Sequence, residues 1–271
     1  MPKRIGVHSR ILNCIPSKEP ERDWEIKHSM DAGVLRAEER IPESKDLRES
    51  WWIIGDQGTT GSCVGWASAD STVRWHFVKG GLIEKDQLLS MRYVWMASKE
   101  MDVFDEHPTS FLEKEGTSLK AALDVIRKYG VVDASVLPFE SGKLYPGELK
   151  DFYALAAKLK IASYFNLRPP MSRWDENLVN WKKWLAFNGP ILTRLNVDST
   201  WDNAKSTKGK LDVYKSETAR GGHAIALVGY TSDRFIVRNS WGTQTWGDKG
   251  FGYASFSYAH AAFTEAYGVS V

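Results

Sequence analysis

The chain has 271 residues, of which 42% are apolar and 26% charged, and its net charge is +2. This length and composition are typical of a globular protein with one large domain or with two halves that share a cleft. Basic and acidic residues are interspersed, so we expect no binding to nucleic acid. No apolar run reaches about 18 residues, the length of a membrane-spanning helix, so we expect no membrane partner either.

The N-terminus and the two cysteines indicate the cellular compartment in which we expect the protein. No apolar core follows the positively charged start, so we expect no signal peptide and a cytoplasmic location, although leaderless export would leave no mark in the sequence. The two cysteines, Cys14 and Cys63, are too few for a disulfide scaffold, and we expect both to be free. Cys14 lies in a polar segment that offers it no visible base.

Residues 1–40 form a polar, charge-rich arm in which Pro16 and Pro20 indicate extended chain or a turn. This arm is either an integral segment packed on the body or a short removable propeptide. Its shortness and its lack of a long helical pattern favour the integral arm.

Helical patterns dominate the first half of the remaining chain. The first predicted helix begins at Cys63, with Ser62 as its N-cap, and ends at Gly80 and Gly81. Further helices are predicted over residues 88–101, 118–130, 148–160 and 175–187. Short apolar runs then predict strands over residues 190–197, 224–229, 234–238 and 252–256. The fold class is therefore predicted to be α+β, with two unlike halves.

Four polar residues supply a set of groups for covalent acyl transfer. Gln57 lies six residues before Cys63, and His223 lies 16 residues before Asn239. At a helix start, unpaired N–H groups and the positive end of the dipole would stabilise the Cys63 thiolate. His223 could pair with this thiolate and later protonate a leaving amine, while Asn239 orients the ring. The Gln57 amide and the Cys63 N–H could together stabilise an oxyanion.

These residues stand in three motifs that resemble the papain family of cysteine peptidases. The motifs are Gln57-Gly-Thr-Thr-Gly-Ser-Cys63, Gly222-His-Ala-Ile-Ala-Leu-Val-Gly-Tyr230 and Arg238-Asn-Ser-Trp-Gly-Thr-Gln-Thr-Trp-Gly-Asp-Lys-Gly-Phe-Gly-Tyr253. The resemblance implies a two-lobed papain-like fold, with a long central helix starting at the nucleophile, a β-barrel-like second lobe and an active site in the cleft between them. We expect residues 41–165 to form the helical lobe and residues 166–271 the β lobe. No cofactor and no metal are expected.

The resemblance also implies roles for individual residues. Cys63 would be the nucleophile, His223 the general base and acid, Asn239 the orienting residue and Gln57 the oxyanion donor. The candidate substrate-binding residues are Gly116, Thr117, Leu119, Ala224 and Trp241, the last of which would also shield the Asn239–His223 hydrogen bond from water. Arg194 would either point into the second subsite and favour an acidic side chain or point outward from its strand.

The chain departs from the family pattern at several positions. Thr60 stands where secreted relatives carry a disulfide-forming cysteine, which suits a reducing compartment. Val64 replaces the aromatic residue that usually follows the nucleophile. The long separation of Cys63 from His223 indicates insertions, which we expect around residues 102–114 and 141–160.

The predicted function is that of a cysteine endopeptidase, which hydrolyses peptide bonds through a Cys63 thioester. Two alternatives stay open: a papain-fold acyltransferase or transpeptidase that passes the acyl group to another acceptor, and a catalytically silent binding module. The presence of Cys63, His223, Asn239 and Gln57 together argues against the silent module. The expected partners are a peptide or protein substrate and either a proteinaceous inhibitor or the protein's own N-terminal arm.

Overall fold

The computed structural model of the protein describes residues 6–36, 39–102, 112–140 and 145–271. The helices are α1 (Ile26–Asp31), α2 (residues 63–79), α3 (Met91–Met101), α4 (Leu119–Lys128), α5 (Leu149–Ala156), α6 (Trp174–Phe187) and α7 (Phe256–Ala262). The strands are β1 (Lys45–Asp46), β2 (Ser163–Asn166), β3 (Ile191–Val197), β4 (Lys210–Leu211), β5 (Gly221–Tyr230), β6 (Arg234–Arg238), β7 (Phe251–Ser255) and β8 (Phe263–Ser270).

Helix α2 begins at Cys63, as predicted, and crosses the middle of the molecule. Its three consecutive parts are an α-helical turn (Cys63–Gly65), a π-helical stretch (Trp66–Val73) and a second α-helical part (Arg74–Lys79). Gly65 packs so closely on α3 that an added Cβ would lie 2.5 Å from the carbonyl oxygen of Met91. Small side chains along the first turns therefore allow this helix to be buried.

The start of α2 differs from the prediction in one respect. Ser62 occupies the N-cap position, but its side chain makes no capping hydrogen bond. Its hydroxyl lies 2.6 Å from the hydroxyl of Thr60 instead. The prediction of Ser62 as the N-cap residue is therefore confirmed by its position, but its side chain does not cap the helix, because the preceding loop engages the hydroxyl.

The other predicted helices are confirmed; α3, α4 and α5 are shorter than predicted, whereas α6 begins one residue earlier. Helix α3 begins three residues later than predicted, because the Ser90 hydroxyl accepts the N–H of Tyr93 at 3.0 Å and caps the helix there. Helix α4 is capped in the same way by Ser118 and is followed by Gly130 at a φ of +94°. Of the expected insertions, residues 103–111 and 141–144 lie outside the described residues, and α5 occupies part of the second insertion.

The sequence patterns miss six elements: α1, β1, β2, β4, α7 and β8. Phe256, predicted to end a strand, is instead the first residue of α7, because the Ser255 hydroxyl accepts the N–H of Tyr258 at 3.0 Å. Strand β8 carries no strict alternation of apolar and polar residues, because it lies between β2 and β3 and is buried along much of its length.

The described strands form one sheet in the order β2–β8–β3–β5–β6–β7–β4, and β1 pairs with β5 outside this path. All pairs are antiparallel except β4–β7. One cluster of buried apolar side chains joins the sheet to α6, and a second surrounds α2, α3 and α4. The predicted α+β class, with a helix-rich and a strand-rich half, is confirmed.

A buried ion network joins β6 to α2. Arg238 donates hydrogen bonds to Asp70 Oδ2 at 2.7 Å and to the carbonyl oxygen of Trp52 at 2.8 Å. Asp70 also pairs with Arg74 at 3.1 Å, and all three charged side chains are buried. Burial lowers the pKa of Arg238, and the Asp70 charge opposes this shift. The network therefore fixes the strand that precedes Asn239 against the helix that begins at Cys63.

We predict that Asp70→Asn destabilises the fold by about 3–5 kcal/mol, because it leaves two buried guanidinium groups without their carboxylate. The free energy of unfolding in urea measures this loss. Arg173→Gln is the control, since it breaks an exposed pair with Asp175 and should leave the unfolding midpoint unchanged. Equal midpoints for the two variants would contradict the importance of the buried network.

Candidate active site

Two adjacent strands bring His223 and Asn239 together. His223 lies in β5, and Asn239 follows the last residue of β6. His223 Nε2 lies 2.8 Å from Asn239 Oδ1, which also accepts the backbone N–H of Ser240 at 2.8 Å. Because the amide oxygen can only accept, the proton of this pair lies on Nε2. The other ring nitrogen, Nδ1, has no hydrogen-bond partner among the described residues and is free to exchange a proton.

Three indole rings enclose this hydrogen bond. The Trp241 ring centroid lies 4.8 Å from that of His223, and Trp201 approaches the imidazole edge-on at 5.6 Å. Trp246 packs on Trp201 at 4.5 Å, and all three tryptophans are buried. Exclusion of water strengthens a polar contact in such a site. Trp241 thus lies where its predicted shielding role requires. Trp246 lies in the third motif without a predicted role, and Trp201 carried no signal that set it apart among the 12 tryptophans.

Cys63 is fully buried at the start of α2. Its pKa lies well below the ordinary value for a thiol, chiefly because the Cys14 thiol donates a hydrogen bond to the thiolate. His223 and the backbone N–H of Ala224 lower the pKa further, against the opposing effect of burial. The helix N-terminus acts in the same direction. The environment of Cys63 therefore favours a thiolate.

Gln57 is held by hydrogen bonds to Thr60, which precedes Cys63, and to Ser240, which follows Asn239. The Ser240 hydroxyl donates to Gln57 Oε1 at 2.8 Å, and the Gln57 N–H donates to the Ser240 carbonyl at 2.9 Å. One hydrogen of Gln57 Nε2 goes to the Thr60 carbonyl at 3.1 Å, and an amide nitrogen carries a second. The structure thus brings Gln57 close to the segments that carry Cys63 and Asn239. Ser240 orients the Gln57 amide, a partnership that the sequence did not reveal.

Residues 10–17 of the N-terminal arm, called here the arm strand, lie across the site. The N–H of Cys14 donates to the Gly222 carbonyl at 3.0 Å, and the N–H of Ile15 donates to the Thr117 carbonyl at 3.2 Å. Gly116 lies so close to the arm strand that an added Cβ would be 2.0 Å from a carbonyl oxygen. The arm strand therefore bridges the two lobes by backbone hydrogen bonds beside His223.

Polar contacts anchor both ends of the arm strand. Arg10 forms an ion pair with Asp56 and donates to the carbonyl oxygens of Gly58 at 2.9 Å and Trp241 at 3.2 Å. Its side chain is only 1% exposed. At the other end the N–H of Ser17 donates to Glu265 Oε1 at 3.1 Å. These anchors fix the segment across the cleft.

The expectation that Cys14 has no base partner is wrong. Cys14 is buried, and its thiol lies close enough to Cys63 for each to shift the pKa of the other. Burial raises the pKa of Cys14, and the interaction with Cys63 raises it further. Cys14 is therefore a neutral donor beside an ionised acceptor. Both thiols are free, as predicted.

The predicted substrate-binding residues lie around the arm strand. Leu119 and Ala224 belong to the same buried cluster as Cys14 and Cys63. Arg194 points inward, because its Nε donates to the Cys14 carbonyl at 2.9 Å, so the alternative of an outward side chain is wrong. The Thr117 hydroxyl donates to Asp102, and its carbonyl faces the arm, as do Gly116 and Trp241 described above.

The described ranges contain neither a candidate metal site nor a candidate membrane-spanning helix. No group of three or more His, Cys, Asp or Glu side chains there is arranged to hold a metal ion. No helix in the same ranges is long and apolar enough to cross a membrane.

Comparison with known proteins identifies the family. Residues 41–265 match the papain family of cysteine proteases. Because this match covers most of the chain, the protein belongs to the papain family. No match was found among curated protein sequences.

Solved structures show the same fold. The chain is similar to xylellain, a cysteine protease from Xylella fastidiosa, with 20% identity, 97% of each chain covered and a TM-score of 0.76. It is also similar to the digestive procathepsin L2 proteinase of the Tenebrio molitor larval midgut, with 19% identity, 100% of this chain and 81% of that chain covered, and a TM-score of 0.67. The procathepsin B S9 of Trypanosoma congolense is 15% identical over 97% of this chain and 87% of that chain, with a TM-score of 0.65. The predicted two-lobed papain-like fold is thereby confirmed.

We predict that Cys63 is alkylated by iodoacetamide with a pH midpoint well below the value of about 8.5 for a free thiol, because His223 and the backbone N–H of Ala224 still lower its pKa when the arm strand is displaced and the reagent enters. Timed reactions across the pH range, followed by peptide mass spectrometry, give the rate for each cysteine. The same chain in urea is the control, in which both cysteines should titrate as free thiols. A folded-state rate that rises only above about pH 8 would contradict the thiolate assignment.

Proposed function

We propose that the protein is a cysteine endopeptidase that its own N-terminal arm keeps latent. The observation that carries this proposal is the meeting of Cys63, at the start of α2, with a histidine whose far nitrogen is fixed 2.8 Å from an amide oxygen. Membership of the papain family supports the same class of reaction.

In the first step the Cys63 thiolate attacks the carbonyl carbon of a substrate peptide bond. The oxyanion that forms takes hydrogen bonds from the Cys63 N–H and from Gln57 Nε2, whose carbonyl end is held by Ser240. His223 Nδ1 gives its proton to the leaving amine, and a thioester to Cys63 remains. Asn239 keeps the ring oriented throughout, since it binds only Nε2.

In the second step the neutral His223 accepts a proton from water through Nδ1. The hydroxide attacks the thioester, and the same oxyanion donors stabilise the second tetrahedral intermediate. Collapse of this intermediate releases the carboxylic acid and restores the Cys63 thiolate. The buried tryptophans keep bulk water away from the His223–Asn239 side of the site.

The arm strand explains why such an enzyme would be latent. Cys63 and His223 are each 0% exposed, and the arm strand occupies the backbone groups of Gly222 and Thr117. A substrate chain that needs the same groups therefore has to displace it. Since the arm belongs to the same chain, its effective concentration at the cleft is high. The arm is thus the partner that these contacts favour over a separate inhibitor.

We predict that Arg10→Ala raises the peptidase activity of the full chain about tenfold or more, because hydrogen bonds to a charged group contribute about 1.5–3 kcal/mol and their loss weakens the arm anchor. Hydrolysis of a fluorophore-labelled unfolded protein measures the change. Arg22→Ala is the matched control, because Arg22 belongs to the arm and pairs with Glu19 on the exposed surface. An Arg10→Ala activity equal to that of the control would contradict arm-imposed latency.

We predict that Gln57→Ala lowers kcat by about 10²–10³-fold with little change in KM, since the amide acts on the transition state. The measurement uses the best peptide from a library and the Arg10→Ala background. Ser240→Ala is the control, because it removes only the hydrogen bond that orients Gln57 and keeps the amide. A Gln57→Ala effect confined to KM would make Gln57 a binding residue instead.

Product analysis in the same background tests the reaction itself. We expect peptide acids as products and no turnover by Cys63→Ala, because the thiolate carries the covalent step. Transfer of the acyl group to an added amine in place of water would favour the acyltransferase alternative. Equal product formation by Cys63→Ala would remove the thioester mechanism altogether.

A further inference from the structure

The peptidase mechanism above leaves Cys14 unused, although its thiol lies beside Cys63. The two sulfurs are close enough to shift each other's pKa, and both side chains belong to one buried cluster. Cys14 is 2% exposed and Cys63 is 0% exposed. Two thiols that meet in a closed space, from segments 49 residues apart in sequence, are arranged for reaction with each other.

The backbone on both sides of Cys14 is fixed. Its N–H donates to the Gly222 carbonyl at 3.0 Å, one residue before His223, and its carbonyl accepts Arg194 Nε at 2.9 Å. Arg194 is itself held by Thr264, whose hydroxyl lies 2.7 Å from Nη1. The Cys14 side chain is therefore presented to Cys63 in one position whenever the arm strand is in the cleft.

We propose that Cys14 and Cys63 form a reversible disulfide that locks the arm strand over the active site under oxidising conditions. The oxidant is a peroxide, of which hydrogen peroxide is the simplest. A reductant of the dithiol class reverses the lock. The loss of activity on locking rests on the proposed function, whereas formation of the disulfide does not.

The chemistry takes two steps. The Cys63 thiolate attacks one oxygen of hydrogen peroxide, so that an S–O bond forms, the O–O bond breaks and hydroxide leaves. The Cys14 sulfur then attacks the Cys63 sulfenic acid, so that the S–S bond forms and the S–O bond breaks. The hydroxide from the peroxide takes the proton that Cys63 had given to His223, and the hydroxide from the sulfenic acid takes the Cys14 proton, so that each becomes water. Two thiols are oxidised, and one peroxide is reduced to two waters.

Burial sets the order of these events. An oxidant reaches Cys63 when the arm strand is displaced, since the closed cleft leaves the sulfur no exposed surface. Return of the arm then brings Cys14 onto the sulfenic acid and excludes further peroxide. The disulfide thus protects the nucleophile from irreversible oxidation to sulfinic acid. Reduction would return an intact thiolate and a displaceable arm.

The experiment treats the full chain with hydrogen peroxide and maps its peptides by mass spectrometry without reduction. We expect a cross-linked peptide that contains Cys14 and Cys63, an intact mass lighter by two hydrogens, and no free thiol after unfolding. Dithiothreitol should restore both thiols. Cys63→Ser is the control, in which Cys14 alone should stay unreacted under the same treatment, because burial and its high pKa keep it a thiol.

Cys14→Ser provides the second test. Without Cys14, the same peroxide dose should carry Cys63 to the sulfinic acid, which dithiothreitol does not reverse. Wild-type chain that accumulates Cys63 sulfinic acid while Cys14 stays free would overturn the proposal, and so would disulfides formed only between two chains. Because the readout is mass and thiol content, an inactive protein could still confirm the lock. Conversely, a failed lock would leave the proposed peptidase untouched.

Discussion

The arrangement of the site depends on one buried ion network between the two lobes. Asp70 lies seven residues after Cys63 on α2, about two turns along, and its partner Arg238 directly precedes Asn239. The distance between Cys63 and Asn239 is therefore set by a contact that neither residue makes. Charges without solvent are costly unless fully paired, so the network tolerates little displacement. A rigid helix start and a rigid strand end follow from it, and His223 is held between them.

The arm strand adds a second constraint, which acts on access and not on geometry. It takes the backbone groups of Gly222 and Thr117 and places the Cys14 thiol beside Cys63. Most of its contacts are polar, and one of them, the pair of Arg10 with Asp56, is exposed on the carboxylate side. Such contacts hold a segment of the same chain efficiently, because association has no translational entropy cost. The same contacts would bind a separate peptide much more weakly. This difference suits an arm strand that covers the site and is later displaced.

The sequence predicts those features that local patterns encode. Apolar periodicity located helices α2 to α6 and strands β3, β5, β6 and β7, and motif spacing located Cys63, His223, Asn239 and Gln57. Strand β8 was missed because a strand buried among others shows no alternation, and the position of Cys14 could not be predicted because only tertiary contacts place it. The position of Trp201, one of 12 tryptophans, could not be predicted either, because only the fold brings its ring against His223. Single side chains also set where a helix begins: the Ser90 hydroxyl caps α3, and the Ser255 hydroxyl caps α7.

The central claim is that the Cys63 thiolate forms a covalent acyl-enzyme in the site that His223 and Asn239 complete. The most direct measurement mixes the Arg10→Ala chain, in which the arm anchor is weakened, with a peptide ester, quenches the reaction in acid within a single turnover and determines the intact mass. The account predicts one acyl group per chain, located on Cys63 by peptide mapping and absent from His223→Ala. An unmodified chain, or an acyl group on Cys14, would contradict it.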